Sequence, residues 1–489
     1  MYRSTFFVDG DWAAPAGGGR SDVISPSTEE VVGAVPLATA DDIDRAVAAA
    51  RRAFDEGPWP RLAPADRADV LARAADLLRK RADDIIGITV DEMGCAVSHA
   101  PKGQAGLVAP VFDYYATLIR SFEFERLVRA GDRPGLVTKL PVGVVGAIIP
   151  WNAPVTLGAW KSSAALAAGC TVVLKPPPEA PLSNYVLAEV LAEAGLPAGA
   201  FNLVPGGREV GEHLVRHPDT DKIAFTGSTA AGKRIMSLCG EQVKRVALEL
   251  GGKSASIVLD DVDIATVVPR IVDAGMHMAG QSCGAHTRVL VPRARYDDAV
   301  EAAAATAEAM VVGDPHDPAT YVGPLVAERQ RSRVEGYIAS ARDDGARIAA
   351  GGDRPSRLPR GWYVSPTIVA DVSNDMRIAR EEIFGPVLCF IPHDGDDDAV
   401  RLANSSSYGL AGGVWSADDA RALGVARRLR TGSAAVNGCA APFPAVPFGG
   451  FKESGIGREL GPEGLDSFLE TRSLGLPPAL ADAAGATES

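Results

Sequence analysis

Short apolar runs alternate with helical patterns between Val142 and Leu250. Helices are predicted through Trp160, from Ser183 to Ala194 and after Ala230. The runs between them are rich in β-branched residues and have the length of strands: VVGAII (144–149), TVVLK (171–175), KIAFT (222–226) and VKRVALEL (243–250). This alternation is typical of βαβ units, so the pattern predicts an α/β fold with a parallel sheet.

The flanking regions follow different patterns. From Asp41 to about Tyr115, apolar residues recur at helical spacing, which predicts long amphipathic helices packed on the sheet. Residues 122–139 mix charges with isolated apolar positions and suggest a strand-bearing arm. The tail after Pro477 is expected to be disordered. A second α/β alternation begins after Gly251, with strands SASIVLD and TRVLVP followed by a helix from Tyr296 to Met310.

Composition narrows the function classes. The chain has 489 residues, 46% of them hydrophobic, and a net charge of −13. An acidic protein of this kind is a poor partner for nucleic acid or anionic membranes. No run of about 18 apolar residues predicts a membrane span, and Asp9 and Asp11 interrupt any secretion signal. The six cysteines form no C-x-x-C pair, which favours reduced thiols, no metal site and a cytoplasmic location.

The segment GQSCGAHTR (280–288) places Cys283 between small neighbours that would leave its thiol accessible. Catalytic cysteines occupy such surroundings, although a lone cysteine is more often a buried hydrophobic residue. His286, three residues later, also permits a Cys–His hydrolase. That interpretation requires an orienting third group, and no protease signature accompanies the pair.

The segment LELGGKS (248–254) places Glu249 at the end of a predicted strand, with Leu250 and then two glycines after it. In α/β folds the carboxyl ends of strands carry the chemistry, so Glu249 is a candidate catalytic carboxylate. The alternative is an exposed Glu in a surface turn.

The segment FTGSTAAGKR (225–234) follows a strand and opens a helix, as a phosphate-binding turn would. From Gly227 to Lys233 it nearly matches a P-loop. Arg234 stands where the P-loop needs Ser or Thr to bind magnesium. The segment therefore favours the pyrophosphate of a dinucleotide, which needs no such ligand, over a nucleoside triphosphate.

Eight segments in sequence order together resemble the aldehyde dehydrogenase superfamily. The resemblance runs from about Phe7 to Arg472, at the spacings typical of the family. The segments are IIPWN (148–152), VLKPPPEAPLS (173–183), FTGST (225–229), ELGGK (249–253), GQSC (280–283), EEIFGPV (381–387), YGLAGG (408–413) and PFGGFKESGIGRELG (447–461).

The resemblance implies a subunit of three parts. These are a Rossmann-like nucleotide-binding domain (1–122 and 142–250), an α/β catalytic domain (251–447) and a small β oligomerisation arm (123–141 and 465–476). It also implies a homodimer or homotetramer.

The resemblance also implies roles for individual residues. Cys283 matches the nucleophile, Glu249 the general base, and Asn152 the side-chain donor of the oxyanion hole. The matches to cofactor-binding residues are Trp151, Lys175, Gly227, Ser228, Glu382 and Phe384.

One cofactor position departs from the family. Pro178 stands where relatives commonly carry a Glu that binds the adenosine ribose. NAD is the expected cofactor and NADP is possible. Residues around the expected substrate mouth are mostly apolar and suggest a medium-sized apolar or aromatic aldehyde: Ala153, Leu157, Trp160, Ser282, Gly284, Phe443 and Phe448.

The implied reaction converts an aldehyde to a carboxylic acid through a thiohemiacetal and a thioester on Cys283, with hydride transfer to NAD(P). Two alternatives remain open. An acylating relative would pass the acyl group to coenzyme A, against which the base at Glu249 argues. A catalytically idle relative would not keep Cys283, Glu249 and Asn152 together.

Overall fold

The computed structural model describes residues 1–131 and 133–485, and for 482–485 only the backbone. The chain builds three main sheets. Through Glu249 the elements are β1 Phe6–Val8, β2 Asp11–Ala13, β3 Arg20–Ile24, β4 Val31–Pro36, α1 Ala40–Asp55, α2 Pro64–Lys80, α3 Ala82–Met93, α4 Ala100–Gly103, α5 Val108–Leu118, β5 Glu125–Ala130, β6 Arg133–Pro141, β7 Val144–Ile148, α6 Pro154–Ala168, β8 Thr171–Lys175, α7 Ser183–Glu193, β9 Phe201–Leu203, α8 Arg208–Arg216, β10 Lys222–Thr226, α9 Thr229–Glu241 and β11 Arg245–Glu249.

The second half of the chain alternates in the same way. Its elements are β12 Ala255–Val258, α10 Ile264–Met276, β13 Arg288–Pro292, α11 Tyr296–Ala309, α12 Glu328–Asp343, β14 Arg347–Ala350, β15 Thr367–Ala370, α13 Arg377–Arg380, β16 Val387–His393, α14 Asp396–Asn404, β17 Tyr408–Gly409, β18 Gly412–Trp415, α15 Asp419–Ala426, β19 Ala435–Val436, β20 Phe451–Lys452, β21 Gly455–Ile456, α16 Gly461–Asp466, β22 Leu469–Gly475 and α17 Pro478–Gly485.

The first sheet has the order β2-β1-β9-β8-β7-β10-β11-β21, and its five central strands are parallel. Every residue of β7, β8 and β10 is buried, as expected for parallel strands covered by helices on both faces. Phe112 and Tyr115 of α5 belong to the core on one face, and Ile43 and Val47 of α1 to the core on the other. The predicted α/β fold is confirmed.

The second sheet has the order β14-β15-β16-β13-β12-β18-β19 and is parallel except at β14. One continuous core packs against it, built from apolar residues of its strands and of α10, α11 and α12. The predicted strands SASIVLD and TRVLVP and the predicted helix from Tyr296 are confirmed.

A third, smaller sheet joins distant parts of the chain. β6 pairs antiparallel with β5 on one side and with β22 on the other. The strands predicted within 122–139 are therefore confirmed. Two exposed leucines, Leu140 and Leu474, lie in this sheet.

Some predictions were incomplete or wrong. The tail after Pro477 begins with helix α17 instead of lacking structure, since its alanines favour a helix and Pro478 suits a first turn; residues 486–489 lie outside the described residues. The strands β1–β4 and β9 and the helix α8 were not predicted. Within the described ranges, no helix is long and apolar enough to cross a membrane.

Candidate active site

The site begins at the carboxyl edge of the first sheet, between β7 and β10. From β7 the chain continues to β8 and β9 on one side, and then to β10 and β11 on the other. The carboxyl ends of parallel strands leave a crevice at such a reversal of strand order, where α/β proteins bind their ligands. Asn152 follows β7, Ser228 follows β10, and Glu249 ends β11.

A cleft at this edge contains most of the predicted site residues. Seven of them line it: Trp151, Asn152, Gly227, Ser228, Cys283, Glu382 and Phe384. Lys175, Pro178 and Glu249 lie outside its lining. The cleft is also lined by Gln330 and Arg333 of α12. These two were missed in the sequence, because they belong to an ordinary charged helix and to none of the eight family-like segments.

Cys283 is presented by an unusual turn. After α10, Met278, Ala279 and Gly280 have positive φ angles of 53°, 54° and 69°. A side chain at Gly280 would have its Cβ 2.1 Å from the Gly385 carbonyl oxygen, so only glycine fits there. The turn leaves Cys283 half-buried, whereas Cys95, Cys170, Cys239 and Cys389 are buried and Cys439 is exposed.

Two non-catalytic contacts hold the turn in place. The Gln281 side chain is buried; its Oε1 accepts a hydrogen bond from the Val326 amide at 3.0 Å, and its Nε2 donates to the Met278 carbonyl at 3.3 Å. Because both ends of this side chain are satisfied, the segment before the thiol is fixed.

The environment of Cys283 disfavours a free thiolate. Burial, together with the nearby carboxyls of Glu382 and Glu249, raises the pKa of the Cys283 thiol to about 12. Burial also lowers the pKa of His286 to about 4, so that this imidazole is neutral and offers no positive charge to a thiolate. Nucleophilic attack by Cys283 therefore requires a group that takes the thiol proton.

Asn152 lies beside the cysteine segment. Its Nδ2 donates to the Gln281 carbonyl at 3.0 Å, which leaves the second N–H of the amide for a ligand oxygen. Buried Gln104 donates to the Asn152 carbonyl at 3.2 Å, and Thr156 Oγ1 donates to the Gln104 carbonyl at 3.2 Å. The arrangement is that of a preorganised donor for a developing oxyanion.

Glu249 is 4% exposed at the end of β11. In the described part of the chain its Oε2 has no hydrogen-bond partner. Burial and the neighbouring Glu459 raise the pKa of Glu249 well above its ordinary value, and Lys161 and Arg458 partly offset this effect. Lys161 is itself paired with Glu459 and donates to Thr226 Oγ1 at 2.7 Å. A carboxyl in this state has the proton affinity that a general base requires.

Glu382 is fixed at the opposite wall of the cleft. Its Oε1 accepts a hydrogen bond from the Gly252 amide at 2.9 Å, and a Cβ at Gly251 would lie 2.4 Å from Oε2. Gly251 thus makes room for this carboxylate, and the Gly252 amide binds it. The ring of Trp151 meets that of Phe384 edge to face, with centroids 5.4 Å apart.

Lys175 and Ser228 offer donors to a dinucleotide. The Lys175 ammonium donates to the carbonyls of Gly206 at 2.6 Å and Pro176 at 3.2 Å, which leaves one of its three donors for a ligand. Ser228 caps α9, its Oγ accepting from the Ala231 amide at 3.3 Å. Amides of that first turn can hold a phosphate. These features fit a dinucleotide cofactor.

The residues that nearly complete a P-loop do not act as one. Lys233 pairs with Glu453 at 2.8 Å, and Arg234 pairs with Glu212 at 2.7 Å. Both cations are exposed and neutralised by carboxylates. Over residues 1–131 and 133–485, no group of three or more His, Cys, Asp or Glu side chains could hold a metal ion.

Aromatic residues predicted at the substrate mouth come together. The Trp160 ring lies 5.6 Å from that of Phe443 and 5.9 Å from that of Phe448, centroid to centroid. All three pack against the same hydrophobic core as Leu157 and Ala153. The cluster presents an apolar surface from the helix after Asn152 and from the loop before β20.

Comparisons with known proteins identify the family of the chain. The model of the aldehyde dehydrogenase family matches residues 12–474. The chain is 46% identical over 474 residues to the geranial dehydrogenase of Castellaniella defragrans, covering 96% of this chain and 98% of that protein. An aldehyde dehydrogenase of Mycobacterium tuberculosis, solved with NAD+, superposes with a TM-score of 0.96 at 45% identity, covering 98% of this chain and 99% of that one.

A mutant of aldehyde dehydrogenase C from Pseudomonas syringae, solved with NAD+ and octanal, is also similar. It superposes with a TM-score of 0.93 at 42% identity, and 96% of each chain is covered.

Proposed function

Because the chain belongs to the aldehyde dehydrogenase family, and is an enzyme that oxidises an aldehyde to a carboxylic acid, we propose that Cys283 is its nucleophile, Glu249 its general base and Asn152 a donor of its oxyanion hole. The observation that carries this proposal is that Cys283 and Asn152 line one cleft, while the Glu249 carboxyl is close enough to raise the pKa of the Cys283 thiol.

The first step is addition to the aldehyde. An aldehyde has no leaving group, so the Cys283 sulfur must first bond to the carbonyl carbon, while the thiol proton passes to a base. The carbonyl oxygen then carries negative charge. The Asn152 Nδ2 and the Cys283 backbone amide stabilise this oxygen, at about 3 kcal/mol for one such donor.

The second step oxidises the carbon. NAD, when bound in the cleft, supplies the acceptor for the hydride that leaves the tetrahedral carbon. A thioester on Cys283 remains. Glu249 removes a proton from a water molecule, the resulting hydroxide attacks the thioester carbon, and the carbon–sulfur bond breaks to give the acid and the Cys283 thiolate.

The cofactor assignment rests on the cleft and on the donors beside it. Lys175 would donate to the adenosine ribose, and the amides after Gly227, together with Ser228, would hold the pyrophosphate. Glu382 would accept from a ribose of the cofactor, and Trp151 and Phe384 would line the same site. NAD is the cofactor of the similar structures. Pro178 itself supplies no carboxylate to repel a 2′-phosphate, so this position does not exclude NADP.

The aromatic cluster supports an apolar or aromatic aldehyde of medium size. Trp160, Phe443 and Phe448 offer area for burial of a chain or ring. Geranial, in the name of one relative, and octanal, bound to another, are aldehydes of this class.

The experiment that tests the proposed function is a single aldehyde panel. The protein with NAD and octanal, geranial or benzaldehyde should release NADH and acid without coenzyme A. If NADH forms only when coenzyme A is present, the enzyme is an acylating one and Glu249 is not a hydrolytic base. If no aldehyde yields NADH, the chain is an idle relative.

The proposed division into domains is supported by the three sheets. Residues 1–122 and 142–250 carry seven of the eight strands of the first sheet, 251–447 the second sheet, and 123–141 with 465–476 the arm. Exposed Leu140 and Leu474 on the arm support a homodimer or homotetramer. Light scattering should give a multiple of 50.8 kDa, and the monomer mass would refute the proposal. The six free thiols support a cytoplasmic location.

A further inference from the structure

An ion pair connects helix α12 to the loop after β8, where the proposed site binds the adenosine ribose at Lys175. Glu179 follows β8, four residues after Lys175, and Arg329 lies in the first turn of α12, next to Gln330. Arg329 Nη1 lies 2.5 Å from Glu179 Oε1. The pair thus joins the loop after β8 to a helix that contributes Gln330 and Arg333 to the cleft.

The position of this pair matters more than its contribution to stability. The side chains of Arg329 and Glu179 are 55% and 24% exposed, and ion pairs this exposed contribute little to folding. The charge of Glu179 nevertheless reaches the ribose-binding ammonium. Burial lowers the pKa of the Lys175 ammonium to about 8, and the negative charge of Glu179 opposes this shift.

The pair also supplies a carboxylate and a second cation to the loop after β8. Pro178 offers no carboxylate, and KPPPEAP contains no cation besides Lys175. The structure brings a guanidinium to this loop from α12, 150 positions away in the sequence. A guanidinium is well suited to bind a phosphate through two hydrogen bonds, but Arg329 already binds a carboxylate.

We propose that the Glu179–Arg329 pair sets the discrimination between NAD and NADP. This inference rests on the proposed binding of the adenosine ribose at Lys175. Glu179 occupies the guanidinium that would otherwise bind a 2′-phosphate, and its carboxylate repels that phosphate. The pair thereby replaces the carboxylate that is missing at Pro178.

The two partners should have opposite effects when substituted. In Glu179→Gln the guanidinium is released and the repulsion is removed, so NADP should bind about tenfold more tightly, with NAD binding changed less than twofold. In Arg329→Gln an unneutralised carboxylate is left beside the ribose, so NADP should bind several-fold more weakly.

The measurement is titration of each protein with NAD and with NADP, followed by tryptophan fluorescence because Trp151 lines the cleft. The ratio of the two Kd values is compared at low and high salt, and the shifts should shrink as salt screens the charges. Glu335→Gln is the matched control. Glu335 lies on α12, as Arg329 does, and the substitution breaks the ion pair of Glu335 with Arg354.

The outcomes separate the two proposals. Opposite shifts of the Kd ratio in Glu179→Gln and Arg329→Gln, absent from Glu335→Gln, support the inference. Shifts of the same sign in both variants, or a Glu179→Gln ratio within twofold of the wild type, would overturn it. Wild-type protein that binds neither dinucleotide would instead overturn the proposed cofactor site.

Discussion

The two sides of Cys283 offer ligands different kinds of surface. On the proposed cofactor side, charged or polar groups are fixed by the backbone: Glu382 by the Gly252 amide, and Lys175 by two carbonyls. On the proposed aldehyde side, Trp160 and the phenylalanines beside it offer mainly apolar area. Fixed polar groups discriminate by geometry and charge, whereas apolar area discriminates by size. Substitutions on the two sides should therefore have different kinetic signatures.

The largest effect is expected from substitution of Cys283, the proposed nucleophile. Cys283→Ala should lower aldehyde oxidation by at least about 1000-fold, because the loss of an activated nucleophile removes the covalent route. NAD binding should be retained, since the cofactor-side groups are untouched. Cys439→Ala, which removes an exposed thiol, is the control. Turnover in Cys283→Ala above about one per cent of wild type would refute the assignment.

Substitution of Asn152 should weaken stabilisation of the reacting oxygen and leave both the proposed cofactor surface and the proposed aldehyde surface unchanged. Asn152→Ala should lower kcat by about 100- to 1000-fold, as expected for loss of one oxyanion donor. The Kd of NAD should stay within twofold of the wild-type value, which also shows that the turn held by Gln281 has survived. A loss confined to KM would contradict this role.

On the aldehyde side the effect should follow substrate size. Trp160→Ala should lower kcat/KM for octanal by about 10- to 100-fold, since about 1.5–3 kcal/mol of apolar burial is lost. Acetaldehyde should be much less affected, and Trp160→Phe should recover most of the activity. Equal losses with both aldehydes would show that Trp160 does not contact the chain of the substrate.

The smallest effect is expected on the cofactor side. Pro178→Glu should weaken NADP use relative to NAD by about tenfold, or 1.4 kcal/mol, because a carboxylate there would repel the 2′-phosphate and accept from the ribose hydroxyls. The ratio of kcat/KM for the two cofactors is the measure. An unchanged ratio, or an NADP preference in the wild type, would show that the ribose lies elsewhere.

Sequence predicted the fold best where strands are long and buried. β8 and β10 have the bounds predicted for them, because short runs dominated by apolar residues mark strands covered on both faces. β9 has only three residues, and the N-terminal strands pair through short edges. Such elements depend on tertiary pairing, so their local pattern gave no signal.

The site residues likewise fall into two groups, those that could be predicted from the sequence and those that could not. Residues in the family-like segments were identified, and Cys283, Asn152 and Glu382 do line one cleft. Gln104 and Arg329 were not identified. Gln104 contacts Asn152 across 48 positions of the sequence, and Arg329 contacts Glu179 across 150. No local pattern encodes those contacts.

The most direct test of the account is pre-steady-state mixing of Glu249→Gln with NAD and a good aldehyde substrate. We predict a rapid burst of about one NADH per active site and then very slow turnover, because Glu249 acts mainly on the water that hydrolyses the thioester. Rapid acid quench should trap an acyl group on Cys283. A first turnover slowed as much as the steady state, with no acyl group on Cys283, would contradict the account and assign Glu249 to activation of the thiol.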